Sequence, residues 1–60
     1  MTDAEAQGLQ VGDRVSLDGR IATVVEAGPD FVAIQWDELP VPELFPRAGM
    51  VRFDRDGALQ

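Results

Sequence analysis

The punctuation of the chain constrains its fold more than any other feature. From Val11 onward, Gly, Pro and Asp cut the sequence into short runs. Breaks fall at Asp18-Gly19, Gly28-Pro29-Asp30, the proline-rich 38–47 segment and Asp56-Gly57. The runs between them are β-branched or alternate in polarity, which is the signature of short strands joined by turns. Arg14–Leu17 sets Val15 and Leu17 on one side, and Arg20–Glu26 contains Ile21, Thr23, Val24 and Val25. Phe31–Asp37 alternates, with Val32, Ile34 and Trp36 together, and Met50–Asp54 is a fourth candidate that pairs Val51 with Phe53. The expected class is all-β: a small barrel, or a strongly bent antiparallel meander of four or five strands.

Turn lengths give an expected register. A three-residue loop, Leu17-Asp18-Gly19, sets Val15 opposite Ile21 and Val11 opposite Val25. A four-residue turn, Ala27-Gly28-Pro29-Asp30, sets Val25 opposite Val32, Thr23 opposite Ile34 and Ile21 opposite Trp36. One face then carries Val11, Val15, Ile21, Val25, Val32, Ile34 and Trp36, because directly opposed residues share a face. The other face carries Ala22, Val24, Phe31 and Ala33, which is more apolar than a solvated face requires. Residues 1–9 are small and polar with a break at Gly8, and read as a flexible tail in which Asp3–Gln7 forms at most a marginal helical turn. Residues 10–60 then form the one β domain.

The segment from Glu38 to Arg47 holds Pro40, Pro42 and Pro46, which impose extended geometry and forbid helix. Its large apolar residues are Leu39, Val41, Leu44 and Phe45. Leu44 and Phe45 are expected to plug one end of the barrel or form an edge strand, while the arm as a whole can dock on a partner or a second copy.

Sixty residues leave roughly 40% of the unfolded chain's surface exposed after folding, so the core is thin. With 45% apolar and 27% charged residues the composition is globular. Eleven acids face five bases, all arginine, for a net charge of −6. That sign disfavours direct nucleic-acid binding. Arginine without lysine fits a GC-rich bacterial or phage gene. Arg47, Arg52 and Arg55 are expected to form ordinary surface ion pairs with Glu43, Asp54 and Asp56. The first ten residues lack the basic and apolar regions of a signal peptide, and no stretch is long enough to span a membrane, so a cytoplasmic protein is expected. Without Cys or His there is no disulfide, thiol or histidine chemistry. Asp37-Glu38 reads as a solvated strand end rather than an acid–base pair, and Asp54-Arg55-Asp56-Gly57 as a turn rather than a calcium loop. No catalytic residue, metal ligand or cofactor site is assigned, and the chain is expected not to be an enzyme.

Val11-Gly12-Asp13-Arg14-Val15, Gly19, Ala22-Thr23-Val24-Val25 and Val32-Ala33-Ile34-Gln35-Trp36-Asp37 together resemble the opening of small SH3-like barrels, the superfold of KOW and Tudor-like domains. The resemblance covers residues 11–37 and implies the fold, not an activity. KOW domains that contact RNA are usually basic, whereas this chain is acidic. Tudor domains that read methylated side chains use a cage of several aromatics, whereas this chain has one Trp, three Phe and no Tyr. The expected function is that of a small acidic, non-enzymatic protein-interaction module. It would bind a protein partner or form a homo-oligomer through Val24, Phe31, Ala33, Leu39, Val41 and Phe45. The alternative is an acidic nucleic-acid mimic or inhibitor that occupies a basic groove of another protein.

Overall fold

Asp-Gly is the dipeptide best able to place two consecutive residues in the left-handed region, and here it does so. Asp18 has φ 53° and Gly19 φ 82°, the signs that a two-residue type I′ hairpin turn requires. In the computed structural model, which describes residues 1–55, this turn joins β1 (Arg14–Leu17) to β2 (Arg20–Ala27). Leu17 pairs with Arg20, Ser16 with Ile21 and Val15 with Ala22. The three-residue loop expected from the sequence is therefore corrected, and with it the pairing of Val15 with Ile21. Gly12, at φ 98°, makes the turn into β1, and the ladder extends through Gly12 N–H to Val24 O and Val24 N–H to Asp13 O, both 2.8 Å. Val11 is left exposed rather than opposite Val25.

The next hairpin turns tightly at Pro29-Asp30, where Gly28 N–H donates to Phe31 O at 2.8 Å. It joins β2 to β3 (Phe31–Trp36) with Ala27 opposite Val32, Val24 opposite Ile34 and Ala22 opposite Trp36. The register shifts between Val24 and Glu26, so Val25 is the extra residue of a β-bulge. The expected register was one residue off in β2 relative to β1 and to β3 as far as Val24, and two residues off beyond the bulge. Ala22 and Val24 point into the core, while Ile21 is half-buried and Val25 exposed. The observed pairing sets the small Ala22 across from the large Trp36, which gives the indole room.

The remaining strands complete an all-β fold on one antiparallel sheet. β4 (Glu43–Pro46) is the edge strand beside β3, with Ala33 opposite Leu44 and Val32 opposite Phe45. The chain then crosses through a 3₁₀ helix, Arg47–Arg52, to β5 (Asp54–Arg55), which pairs with β1. The strand order is β4-β3-β2-β1-β5. Most of the strand expected over Met50–Asp54 is thus the end of a 3₁₀ helix. Its period is three residues, and Arg47, Met50 and Phe53 are all buried at that spacing. The break expected at Asp56-Gly57 lies outside the described residues.

One face of the sheet is covered by a second layer. Val15, Ala22, Val24, Val32, Ile34 and Trp36 pack under Ala6, Leu9, Met50 and Phe53. Phe53 stacks on Trp36 with ring centroids 5.9 Å apart, and Phe45 meets Phe53 edge-on at 5.4 Å. Among the described residues no helix is long and apolar enough to cross a membrane.

The expectation of a flexible tail over residues 1–9 differs from their placement. Asp3–Gln7 forms helix α1, closed by a capping box. Glu5 N–H donates to the Thr2 hydroxyl at 3.1 Å, and Thr2 N–H donates to the Glu5 carboxylate at 2.8 Å. Five residues cannot hold a helix in water by themselves; tertiary anchors do so here. Ala6 and Leu9 are each 1% exposed. The Met1 ammonium donates to Val51 O at 2.8 Å and also to Phe53 O.

Arg47 supplies the strongest anchor. It is buried, not a surface ion-pair partner as expected from the sequence. Its Nη1 donates to the carbonyls of Ala6 (2.9 Å), Gln7 (3.0 Å) and Leu9 (3.2 Å), and its Nε to Gly28 O at 2.8 Å. One planar guanidinium thus ties α1, the residues after it and the β2–β3 turn to the 3₁₀ helix.

Candidate functional site

Among the described residues, no second layer covers the other face of the sheet. Residues that alternate with the core positions lie there: exposed Phe31 from β3, Leu44 from β4 and Val25 from β2, with the small Ala33 of β3 buried at 6% exposure between its neighbours. Phe31 is 54% exposed and Leu44 68% exposed, and both line an open groove of about 200 Å³ with Glu26, Gly28 and Ala33. A second groove of about 270 Å³ lies further along the same face, lined by Thr23, Val25, Gln35, Trp36 and Asp37. Both are open and shallow, a shape that suits side chains of another molecule better than an enclosed small ligand.

The sequence-derived site residues divide into three groups. Phe31 and Ala33 lie on this face, as their parity in β3 implies. Leu39 and Val41 are exposed in the β3–β4 loop but line neither groove. Val24 and Phe45 belong on the other side, which is a correction. Val24 is fully buried because β2 is shifted by one residue, and Phe45 packs against the core through Phe53. Val25 and Leu44 take their places on the open face. Leu44 was legible in principle, because within one strand it must face opposite to Phe45. Val25 was not, because its side of β2 depends on the one-residue register shift that also turned Val24 inward.

The electrostatics of the face are asymmetric. Most described arginines are engaged within the molecule. Arg14 donates to Thr23 and pairs with Asp37 at 2.9 Å. Arg20 lies 4.2 Å from the centroid of the Trp36 ring and pairs with Glu38 at 3.2 Å. Arg55 pairs with Asp13 at 3.4 Å, and Arg47 is buried. Glu43 accepts from the Trp36 indole N–H at 3.0 Å. Among the described residues, Glu26, which lines the first groove, and Asp30, which precedes Phe31 in the chain, have no basic side chain within ion-pair distance. The groove is lined mainly by apolar residues, with the acidic Glu26 among them.

No protein-family model matches the chain, and neither a curated protein nor a solved structure does so.

Proposed function

We propose that this chain is a non-enzymatic interaction module of SH3-like build that binds a protein partner through the open face of β2, β3 and β4. The strand order β4-β3-β2-β1-β5, with a 3₁₀ crossing from one sheet edge to the other, supports the SH3-like reading. The observation that carries the functional reading is the pairing of exposed Phe31 and Leu44 on adjacent strands around one groove, in a domain whose core is otherwise well covered. A protein partner suits this face better than a second copy, because two chains of net charge −6 repel each other. A nucleic-acid mimic needs a row of unpaired carboxylates, and the pairing of Asp13, Asp37 and Glu38 with arginines weighs against that alternative.

The test is the double variant F31S/L44S. Both side chains are exposed, so its melting temperature stays close to that of the wild type. A partner captured by the wild type from host extract, and then purified, binds the variant at least about tenfold more weakly and protects amides near Phe31 and Leu44 from exchange. Equal binding by the two proteins, or protection confined to other residues, sinks the proposal.

A further inference from the structure

The chemistry around the groove identifies the class of partner. Its floor and walls are Phe31, Ala33, Leu44 and the backbone of Gly28, so it accepts an aliphatic or aromatic side chain. Glu26 lines it as well, and Asp30 precedes Phe31 in the chain; neither carboxylate has a cation of this chain within ion-pair distance among the described residues. Asp13, Asp37 and Glu38 have an arginine beside them, whereas Asp3, Asp18 and Asp54 are, among the described residues, as free of an ion pair as Glu26 and Asp30. An apolar ligand alone would leave the Glu26 charge beside the groove partly desolvated and uncompensated on docking, an unfavourable arrangement. A ligand with a cationic residue beside its apolar one satisfies both features at once. The groove, at about 200 Å³, accommodates a side chain or two rather than a folded surface.

We infer that the open face docks a basic segment of another protein, in which an apolar side chain enters the Phe31–Leu44 groove and a flanking arginine or lysine meets Glu26 and Asp30. This rests on the interaction reading above and names its partner class. The occupant is not a second copy, since this chain's own arginines are mostly held in internal contacts and its net charge opposes self-association.

The test uses a labelled peptide of alternating arginine and leucine, eight residues long, titrated into the full chain with amide shifts and fluorescence anisotropy as readouts. Shifts centre on Glu26, Phe31, Ala33 and Leu44, and affinity falls with added salt, because Glu26 and Asp30 are solvent-exposed. E26Q/D30N weakens binding by about tenfold, whereas D18N/D54N, which removes the same charge at the far end of β2 and the opposite sheet edge, changes it by less than about twofold. Equal loss in both charge pairs overturns the inference, since net charge alone then explains the attraction. Equal binding of a peptide of alternating glutamate and leucine also overturns it, yet leaves the interaction reading intact if F31S/L44S still loses binding. If F31S/L44S binds as the wild type does and the shifts fall elsewhere, the interaction reading itself fails. Self-association in sedimentation that strengthens with salt and maps to these residues makes the occupant a second copy and overturns the inference.

Discussion

Residues 1–9 and residues 38–44 reverse the usual relation between composition and placement. The first segment is short, polar and alanine-rich, yet Ala6 and Leu9 are sealed into the core. The second contains Leu39, Val41 and Leu44, yet all three face solvent, with Val41 67% exposed. The difference lies in the backbone. The carbonyls of Ala6, Gln7 and Leu9 have a buried cation waiting for them. The prolines at 40 and 42 lack N–H groups and hold the loop extended, and the loop is tied by Leu39 N–H to Trp36 O at 3.2 Å and by Gln35 Nε2 to Pro40 O at 3.3 Å. A segment is fixed by where its polar groups find partners as much as by where its apolar groups find cover.

Removing the cation should break this contrast most completely. R47A leaves the carbonyls of Ala6, Gln7, Leu9 and Gly28 without their donor in a partly dry setting, a loss of about 3 kcal/mol or more. For a chain of this size, whose total stability is on the order of 3–9 kcal/mol, that leaves a large unfolded fraction. Urea denaturation measures it directly. R47K should fall between R47A and wild type, since an ammonium on a flexible stem cannot reproduce the fork that serves α1 and the β2–β3 turn together. Wild-type stability in R47A would show that the first segment is held by packing alone.

The second largest effect belongs to Leu9. In a frayed tail, L9A would change stability by less than about 0.5 kcal/mol. In its observed place among the fully buried side chains, the same change costs about 2–4 kcal/mol, because a cavity opens under the second layer. The denaturation midpoint should fall at unchanged slope.

What the sequence made legible follows from how one-sided each element is. In β3, Val32, Ile34 and Trp36 are large and alternate with Phe31, Ala33 and Gln35, and the inward set is the expected one. In β2, Ile21 and Val25 compete with Ala22 and Val24 for the core. A one-residue slip is nearly neutral in hydrophobicity, so the Asp18-Gly19 turn and the Val25 bulge decide the register. The same slip moved Val24 out of the candidate site and brought Val25 in. The 3₁₀ helix was hidden for a different reason. Arg47, Met50 and Phe53 repeat every third residue, and a search for alternation reads only Val51 and Phe53. Arg47 could not be read as buried from sequence, because its partners are backbone carbonyls whose positions exist only once residues 6–9 have docked.

The helix cap offers a smaller effect with a pH signature. Hydrogen bonding from the Thr2 backbone N–H outweighs the opposing effect of desolvation and, with lesser help from the Thr2 hydroxyl and nearby positive charge, holds the Glu5 carboxyl below its ordinary value of 4.5. A lowered folded-state pKa means that the ionised form favours the folded state. Its contribution is therefore whole above pH 4.5 and is lost as the pH falls through the lowered value. The E5Q variant keeps a side chain able to complete the capping box but cannot titrate. Comparing the two proteins between about pH 6 and about pH 3, the wild type should lose relative stability and the gap should close in acid. T2A removes the cap hydroxyl itself and should cost about 1 kcal/mol at neutral pH.

The smallest effect sharpens the comparison from its other side. L39S/V41S removes two large apolar side chains from the proline-rich loop. If apolar content fixed this segment, the cost would approach that of L9A. Both side chains are already largely in water and neither belongs to the core cluster, so the stability change should stay within about 0.5 kcal/mol. The same variant should leave affinity for the arginine–leucine peptide within about twofold, since neither residue lines the groove beside Phe31 and Leu44. A stability loss near that of L9A would mean that the loop closes over the sheet in solution, and the open face described for β3 and β4 would then be partly covered by the chain's own prolines.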